Sequence, residues 1–195
     1  MSLWRTFSPL VSLTGVRPAI VALALCAASS GAFAADLIVS AAASLTNAFN
    51  EIGPAINSAF DIGTMTRLAT GPAWSSFSGA QQAAVRDAFA HFLVAEYAHQ
   101  VSDYSGESFV VDPQTSPESR GGGEIVKTKL VQPGGRTVQI NYLVRGGRVI
   151  DVYLNGTVSD LATRRDEFAS ILAGGGGADA LVKTLRERTA TLLGS

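Results

Sequence analysis

The chain has 195 residues, of which 47% are hydrophobic, 16% charged and 8% aromatic, with a mean hydropathy of +0.24. That length suits one domain with a short leader, and such hydropathy excludes general disorder, which needs low hydrophobicity and high net charge. A net charge of −1 and a pI near 6.1 supply no broad basic field, so nucleic acid is excluded as an electrostatic partner.

In chain order, Arg5 and Arg17 are the only charges before Asp36, and Ile20 to Ala28 is an apolar run too short to span a bilayer. Ala32-Phe33-Ala34 follows with the small-x-small pattern of a cleavage site, so residues 1–34 read as a secretory signal peptide. Leu23-Ala24-Leu25-Cys26 only faintly matches a lipoprotein box, because Leu25 is bulky where a small residue is wanted. Cys26 is the only cysteine and leaves with the leader. The remainder therefore has no disulfide, thiol nucleophile or Cys-ligated metal. It is long enough to bury roughly 70% of its unfolded surface without such a staple.

Leu37-Ile38-Val39 reads as a short strand, and Ser44 to Phe60 as a helix with Leu45, Ala48, Phe49 and Ile52 on one face, interrupted at Gly53-Pro54. Ile62 to Ala69 is a short helix ended by Gly71-Pro72. Ser78 to about Tyr104 is the longest helix. Val85, Ala88, Phe89, Phe92, Tyr97, Val101 and Tyr104 form its stripe, and Ser78 with Gln81 forms a capping box.

Four strands follow, over Glu107–Asp112, Glu124–Gln132, Arg136–Val144 and Arg148–Leu154, with a polar loop from Pro113 to Gly123. Val138, Ile140, Tyr142 and Val144 alternate with polar residues, which marks a sheet with one buried face. Gly134-Gly135 and Gly146-Gly147 predict hairpin turns and an antiparallel meander. Leu161 to Leu172 and Ala178 to Leu193 complete the chain as helices around the connector Gly174–Gly177. The expected class is α+β: a twisted antiparallel sheet of about four strands packed against helices.

Catalytic chemistry is sparse. His91 and His99 lie about 12 Å apart along one helix, too far to share a metal. Gly174–Gly177 follows a helix and lacks a closing Lys-Ser/Thr pair, so it is no phosphate loop. Asp151 sits in an apolar strand and needs a partner; Arg164 and Arg165 are the candidates, as a structural ion pair. No catalytic residue, cofactor or metal is assigned. The apolar faces suit either a filled core or a pocket for an apolar ligand between sheet and helices.

Several stretches carry a resemblance. These are Ala59-Phe60-Asp61, Met65-Thr66-Arg67-Leu68-Ala69, Gly71-Pro72-Ala73-Trp74, Tyr104-Ser105-Gly106-Glu107 with Phe109-Val110-Val111, and Asn141-Tyr142-Leu143. The longest is Asp151-Val152-Tyr153-Leu154-Asn155-Gly156-Thr157-Val158-Ser159-Asp160-Leu161, continuing through Arg164-Arg165, Glu167-Phe168 and Ile171-Leu172. Over residues 54–195 the chain resembles the MlaC/toluene-tolerance family of periplasmic lipid carriers, and within it the hopanoid-associated branch called HpnM. The resemblance implies a sheet wrapped by helices around a deep apolar cavity for lipid tails. It implies a non-enzymatic shuttle of phospholipid or hopanoid-type lipid. The partners it implies are an inner-membrane ABC transporter complex bearing MCE domains and an outer-membrane lipoprotein complex. On that reading the lipid-lining candidates are Trp74, Phe89, Phe92, Leu93, Tyr97, Phe109, Ile140, Tyr142, Val152, Leu154, Phe168 and Leu172, each of which ordinary core packing would also explain.

Residues 35–53 form an atypical N-terminal segment for that family. Asp36 to Phe49, with Ala42-Ala43-Ser44-Leu45 at its centre, is similar instead to the opening of periplasmic molybdate-binding proteins. There Ser44 would meet an oxyanion at a helix N-terminus. The competing readings are therefore a periplasmic oxyanion binder or a non-functional chimera.

Overall fold

The structure, a computed structural model, describes residues 45–102, 106–118 and 121–194. The expected signal peptide over residues 1–34, Cys26, the expected strand at Leu37–Val39, Ser44 and Tyr104 lie outside the described residues.

Helix α1 (Leu45–Ala59) is followed by α2 (Ile62–Thr70), a 3-10 turn (Gly71–Ser76) and the 24-residue α3 (Gly79–Ser102). Six strands follow: β1 (Ser108–Val111), β2 (Ser116–Pro117), β3 (Glu124–Val131), β4 (Thr137–Arg145), β5 (Arg148–Leu154) and β6 (Val158–Ser159). Helices α4 (Asp160–Ala173) and α5 (Gly177–Leu192) close the chain. The expected α+β class with an antiparallel meander is what the structure has.

Helix ends follow local chemistry. Ser78 and Gln81 make the predicted reciprocal box, with Gln81 N–H donating to Ser78 Oγ (3.2 Å) and Ser78 N–H to Gln81 Oε1 (3.0 Å). Asp61 caps α2 by accepting from the Thr64 N–H at 3.0 Å, and that bond leads the causes holding its carboxyl below the usual range. Gly71, at φ 64°, ends α2 with its N–H on the Arg67 carbonyl.

Gly53-Pro54 does not interrupt α1, contrary to the sequence reading. Pro54 lies on the exposed side, so the carbonyl of the exposed Asn50, which loses its donor, faces water. Ile52, Ile56 and Phe60, four residues apart, keep the buried face continuous.

The sheet order is β1-β3-β4-β5-β6, antiparallel throughout, with β2 beside β3. The two-residue strands β2 and β6 are additions to the four expected. They are set by pairing with β3 and β5 rather than by any apolar pattern of their own. Gly146 and Gly147, at φ 57° and 76°, turn β4 into β5 as predicted. The register places Val126 opposite Tyr142, Thr128 opposite Ile140 and Leu130 opposite Val138. Those six residues are buried and form the inner face. A register shift at Leu143/Val144 places Ile150 as an extra residue in β5, so that Val149 and Val152 both face inward although three apart. That bulge explains a burial run along β5 that simple alternation does not produce.

Helix α3 is the hub. It packs against α1, α2 and α5, while the closest backbone approaches of helix to sheet are at β5, from α1, α2 and α4. At one of these, Phe60 bridges Val149 in parallel and the Asp61 N–H donates to the Val149 carbonyl at 2.9 Å. Among the described residues no helix is long and apolar enough to cross a membrane.

Candidate functional site

The interior between sheet and helices is one continuous apolar cluster. Of the twelve residues singled out from the sequence, eight belong to it and four pack against it. Phe89, Phe92, Leu93, Tyr97, Ile140, Tyr142, Val152 and Phe168 are buried within it, and Trp74, Phe109, Leu154 and Leu172 are partly buried against it. Register settles a point the sequence left open. Val152 and Leu154 pair with Tyr142 and Ile140, so the inner face of β5 is the one carrying these residues. Asp151 lies on the opposite face, with Leu143 and Tyr153.

Aromatic contacts tie the cluster together across elements. Phe89 of α3 meets Phe168 of α4 edge-on at 5.6 Å and 87°, and Tyr97 lies 5.6 Å from Phe60. Trp74 packs against Phe77 at 6.4 Å on the 3-10 turn, held by Gln82, whose amide donates to the Trp74 carbonyl at 3.0 Å.

The ion pair expected at Asp151 is not the one that forms. Asp151 accepts from the Ser159 hydroxyl (2.6 Å) and from the N–H groups of Val152 (2.8 Å) and Leu161 (3.0 Å). Ser159 in turn caps α4 by accepting from the Ala162 N–H at 2.9 Å. Asp151 therefore fastens the start of α4 to β5. Burial raises its pKa, and these three hydrogen bonds pull the other way. The turn that brings Ser159 back needs positive φ at Asn155 (52°) and Gly156 (78°), which accounts for the Asn-Gly pair in the Asp151–Leu161 stretch.

Arg164 is committed elsewhere. Its guanidinium reaches Glu96 of α3 at 2.7 Å, Asp160 at 3.4 Å and Glu167 at 3.9 Å, and lies 5.2 Å from the centre of the Phe92 ring. Glu167 also takes Arg188 of α5 at 3.0 Å. Arg165 faces solvent and lies 3.6 Å from Asp166. Burial works against the charge on Arg164, but Glu96, Asp160 and Glu167 outweigh it and raise its pKa. Burial pushes Glu96 up to about 7; Arg164 opposes this, and Asp160 and Glu167 add to it. Glu96 escaped the sequence reading although a signal was present: an acid inside the apolar run Phe92 to Ala98, the same argument that picked out Asp151.

Two polar groups sit on the inner sheet face itself. The buried Thr128 hydroxyl donates to the Ile140 carbonyl at 2.6 Å. The Tyr142 hydroxyl, fully buried, has no hydrogen-bond partner among the described residues. An open groove of about 350 Å³ lies near β1, lined by residues including Val110, Val111, Pro113, Lys127, Thr128 and Lys129. None of the twelve predicted residues lines it.

An antiparallel sheet closed by helices over an aromatic-rich interior defines a protein built around its apolar interior. More particularly, the chain belongs to the MlaC family: the family model described as MlaC protein matches residues 38–187, from before α1 into α5. The fold is also similar to that of a phospholipid-binding protein from Ralstonia solanacearum, solved in complex with a phospholipid. The two share 24% identity and a TM-score of 0.64, over 76% of this chain and 84% of that one. No curated protein sequence matches the chain. These matches support the family as a whole and do not single out the HpnM branch or the molybdate-binding proteins.

Proposed function

We propose that this protein is a non-catalytic, periplasmic lipid-binding carrier, exported by a cleavable signal peptide over residues 1–34. The observation that carries the reading is the gathering of all twelve candidate residues into one apolar interior in a member of the MlaC family. A lipid crossing water must hide its tails, at about 0.8 kcal/mol per CH₂, so the binding energy lies in dry apolar surface rather than in a few polar contacts. The fold likeness to a protein solved with a phospholipid supports the same cargo class. The cargo on this reading is a phospholipid or hopanoid-type lipid, moved between the inner and outer membranes. The docking partners are an inner-membrane MCE-type ABC transporter complex and an outer-membrane lipoprotein complex.

The interior charges fit a carrier better than an enzyme. Glu96, Arg164, Asp160 and Glu167 are tied to one another between helices α3 and α4, which leaves them fastening elements rather than moving protons.

The test is mass spectrometry of the protein purified from its periplasm, first native and then after organic extraction. Stoichiometric phospholipid or hopanoid supports the carrier and names its cargo. A lipid-free protein that also takes up no lipid from phospholipid vesicles overturns it.

A further inference from the structure

Tyr142 stands in the middle of β4, on the inner face, fully buried. Its phenolic oxygen is, among the described residues, the buried side-chain polar atom left without a partner. Buried phenols ordinarily find one, because a donor taken out of water and left unpaired is costly. The neighbours do not supply it. Thr128 sits diagonally across on β3, next to the Val126 that faces Tyr142; its proton goes to the Ile140 carbonyl at 2.6 Å, and its oxygen, close enough to influence the phenol, does not meet it in hydrogen-bonding geometry. Tyr97, from α3, is another phenol in the same interior. Burial, and then the nearby Tyr97, push the Tyr142 phenol well above its usual pKa, while Thr128 draws it slightly down. It is thus a neutral donor throughout the physiological range, buried within the interior proposed to hold lipid tails.

We propose that the Tyr142 hydroxyl reads the cargo by donating a hydrogen bond to an oxygen that the lipid carries within its buried portion, an ester carbonyl or a hydroxyl on the chain. This rests on the lipid-carrier reading and narrows it to lipids that are not hydrocarbon throughout their buried length. The ring supplies apolar contact like its neighbours. The oxygen supplies discrimination, because a cargo without a matching acceptor leaves the donor unpaired.

The experiment uses the delipidated full chain and its Tyr142→Phe variant, which keeps the ring and removes the unpaired group. Three lipids of one head group and chain length are compared by displacement of a fluorescent acyl probe: a diester, a diether and a diether with a hydroxylated chain. The wild type is expected to bind a lipid with an ester carbonyl or a chain hydroxyl about fivefold to tenfold more tightly than the plain diether, whose ether oxygens are poorer acceptors. Tyr142→Phe is expected to bind all three equally, at the level of the plain diether. Preference for the diester identifies the ester as the acceptor, and preference for the hydroxylated diether identifies the chain hydroxyl. Equal binding of all three by the wild type, or a preference that survives in Tyr142→Phe, overturns the inference while leaving the carrier intact. Failure of the wild type to bind any of the three overturns the carrier reading together with this one.

Discussion

Arg164 of α4 places its guanidinium 2.7 Å from the Glu96 carboxylate of α3, and the Arg164 side chain is only 5% exposed. Two further carboxylates, Asp160 and Glu167, share the same cation. The contact joins elements 68 residues apart in sequence. Replacing Arg164 with Met keeps much of the packing over Phe92 but leaves the buried acids without their cation. Urea unfolding is expected to show a loss of about 3–5 kcal/mol. A loss below about 1 kcal/mol would mean that the acids relax into water and that the pair does not hold α3 to α4.

The same cluster sets a pH dependence. The ordinary carboxyl value for Glu96 is 4.5, and in the folded protein it rises to about 7. Between those values the folded state keeps a proton that the unfolded state has released. Stability from this group is therefore greatest at low pH, falls as pH rises through the window and is level above it. Glu96→Gln removes the titration. The difference in melting temperature between wild type and Glu96→Gln should move against the wild type from about pH 5 to about pH 7.5. A constant difference across that range would show that Glu96 stays ionised in the fold.

Asp151 and Arg165 should behave as unrelated residues. Asp151→Ala leaves the Ser159 hydroxyl and the Leu161 N–H without their acceptor and weakens the start of α4, costing roughly 2 kcal/mol. Arg165→Ala, at an exposed site, should change stability by less than about 0.5 kcal/mol. The double variant should be additive; a coupling above about 0.5 kcal/mol would restore the ion pair that the sequence suggested.

Gly123 and Gly147 separate crowding from backbone strain. Both have positive φ, 105° and 76°. A Cβ at Gly123 would stand 2.6 Å from the Val144 carbonyl oxygen, whereas one at Gly147 meets nothing within 4 Å. Gly147→Ala should cost about 1–2 kcal/mol, from the left-handed backbone alone. Gly123→Ala should cost more and loosen the approach of Gly123 to β4. Equal losses, read by thermal denaturation, would place the whole effect in φ.

Much of the architecture is local and was legible before the coordinates. The Ser78–Gln81 box and the diglycine turns each depend on residues a few positions apart, and each is found where the pattern predicts; the alternation along β4 holds from Thr137 to Ile140 and then gives way, because Asn141 and Leu143 on the other face are buried as well. The twelve apolar residues could be assigned to one interior for the same reason, since period 3.6 and period 2 specify which side of an element avoids water. Family membership was also carried by sequence, in runs such as Asp151 to Leu161.

What remained hidden depends on partners distant in the chain. An isolated Asp151 demands a partner but does not say which, and two arginines downstream looked sufficient. Only the register, which puts Asp151 on the face opposite Tyr142 and Val152, shows that backbone N–H groups and Ser159 serve it. Pro54 broke a helix on paper because propensity counts the missing donor without knowing that the exposed side supplies water. Strands β2 and β6 exist because β3 and β5 offer them edges. The sequence alone determined which residues avoid water and how each element begins and ends, because those are short-range properties of side chains and backbone. Tertiary structure alone decided how Glu96, Arg164 and Asp151 are partnered and that Tyr142, among the described residues, is not, because burial turns each polar atom into a demand that only particular neighbours meet.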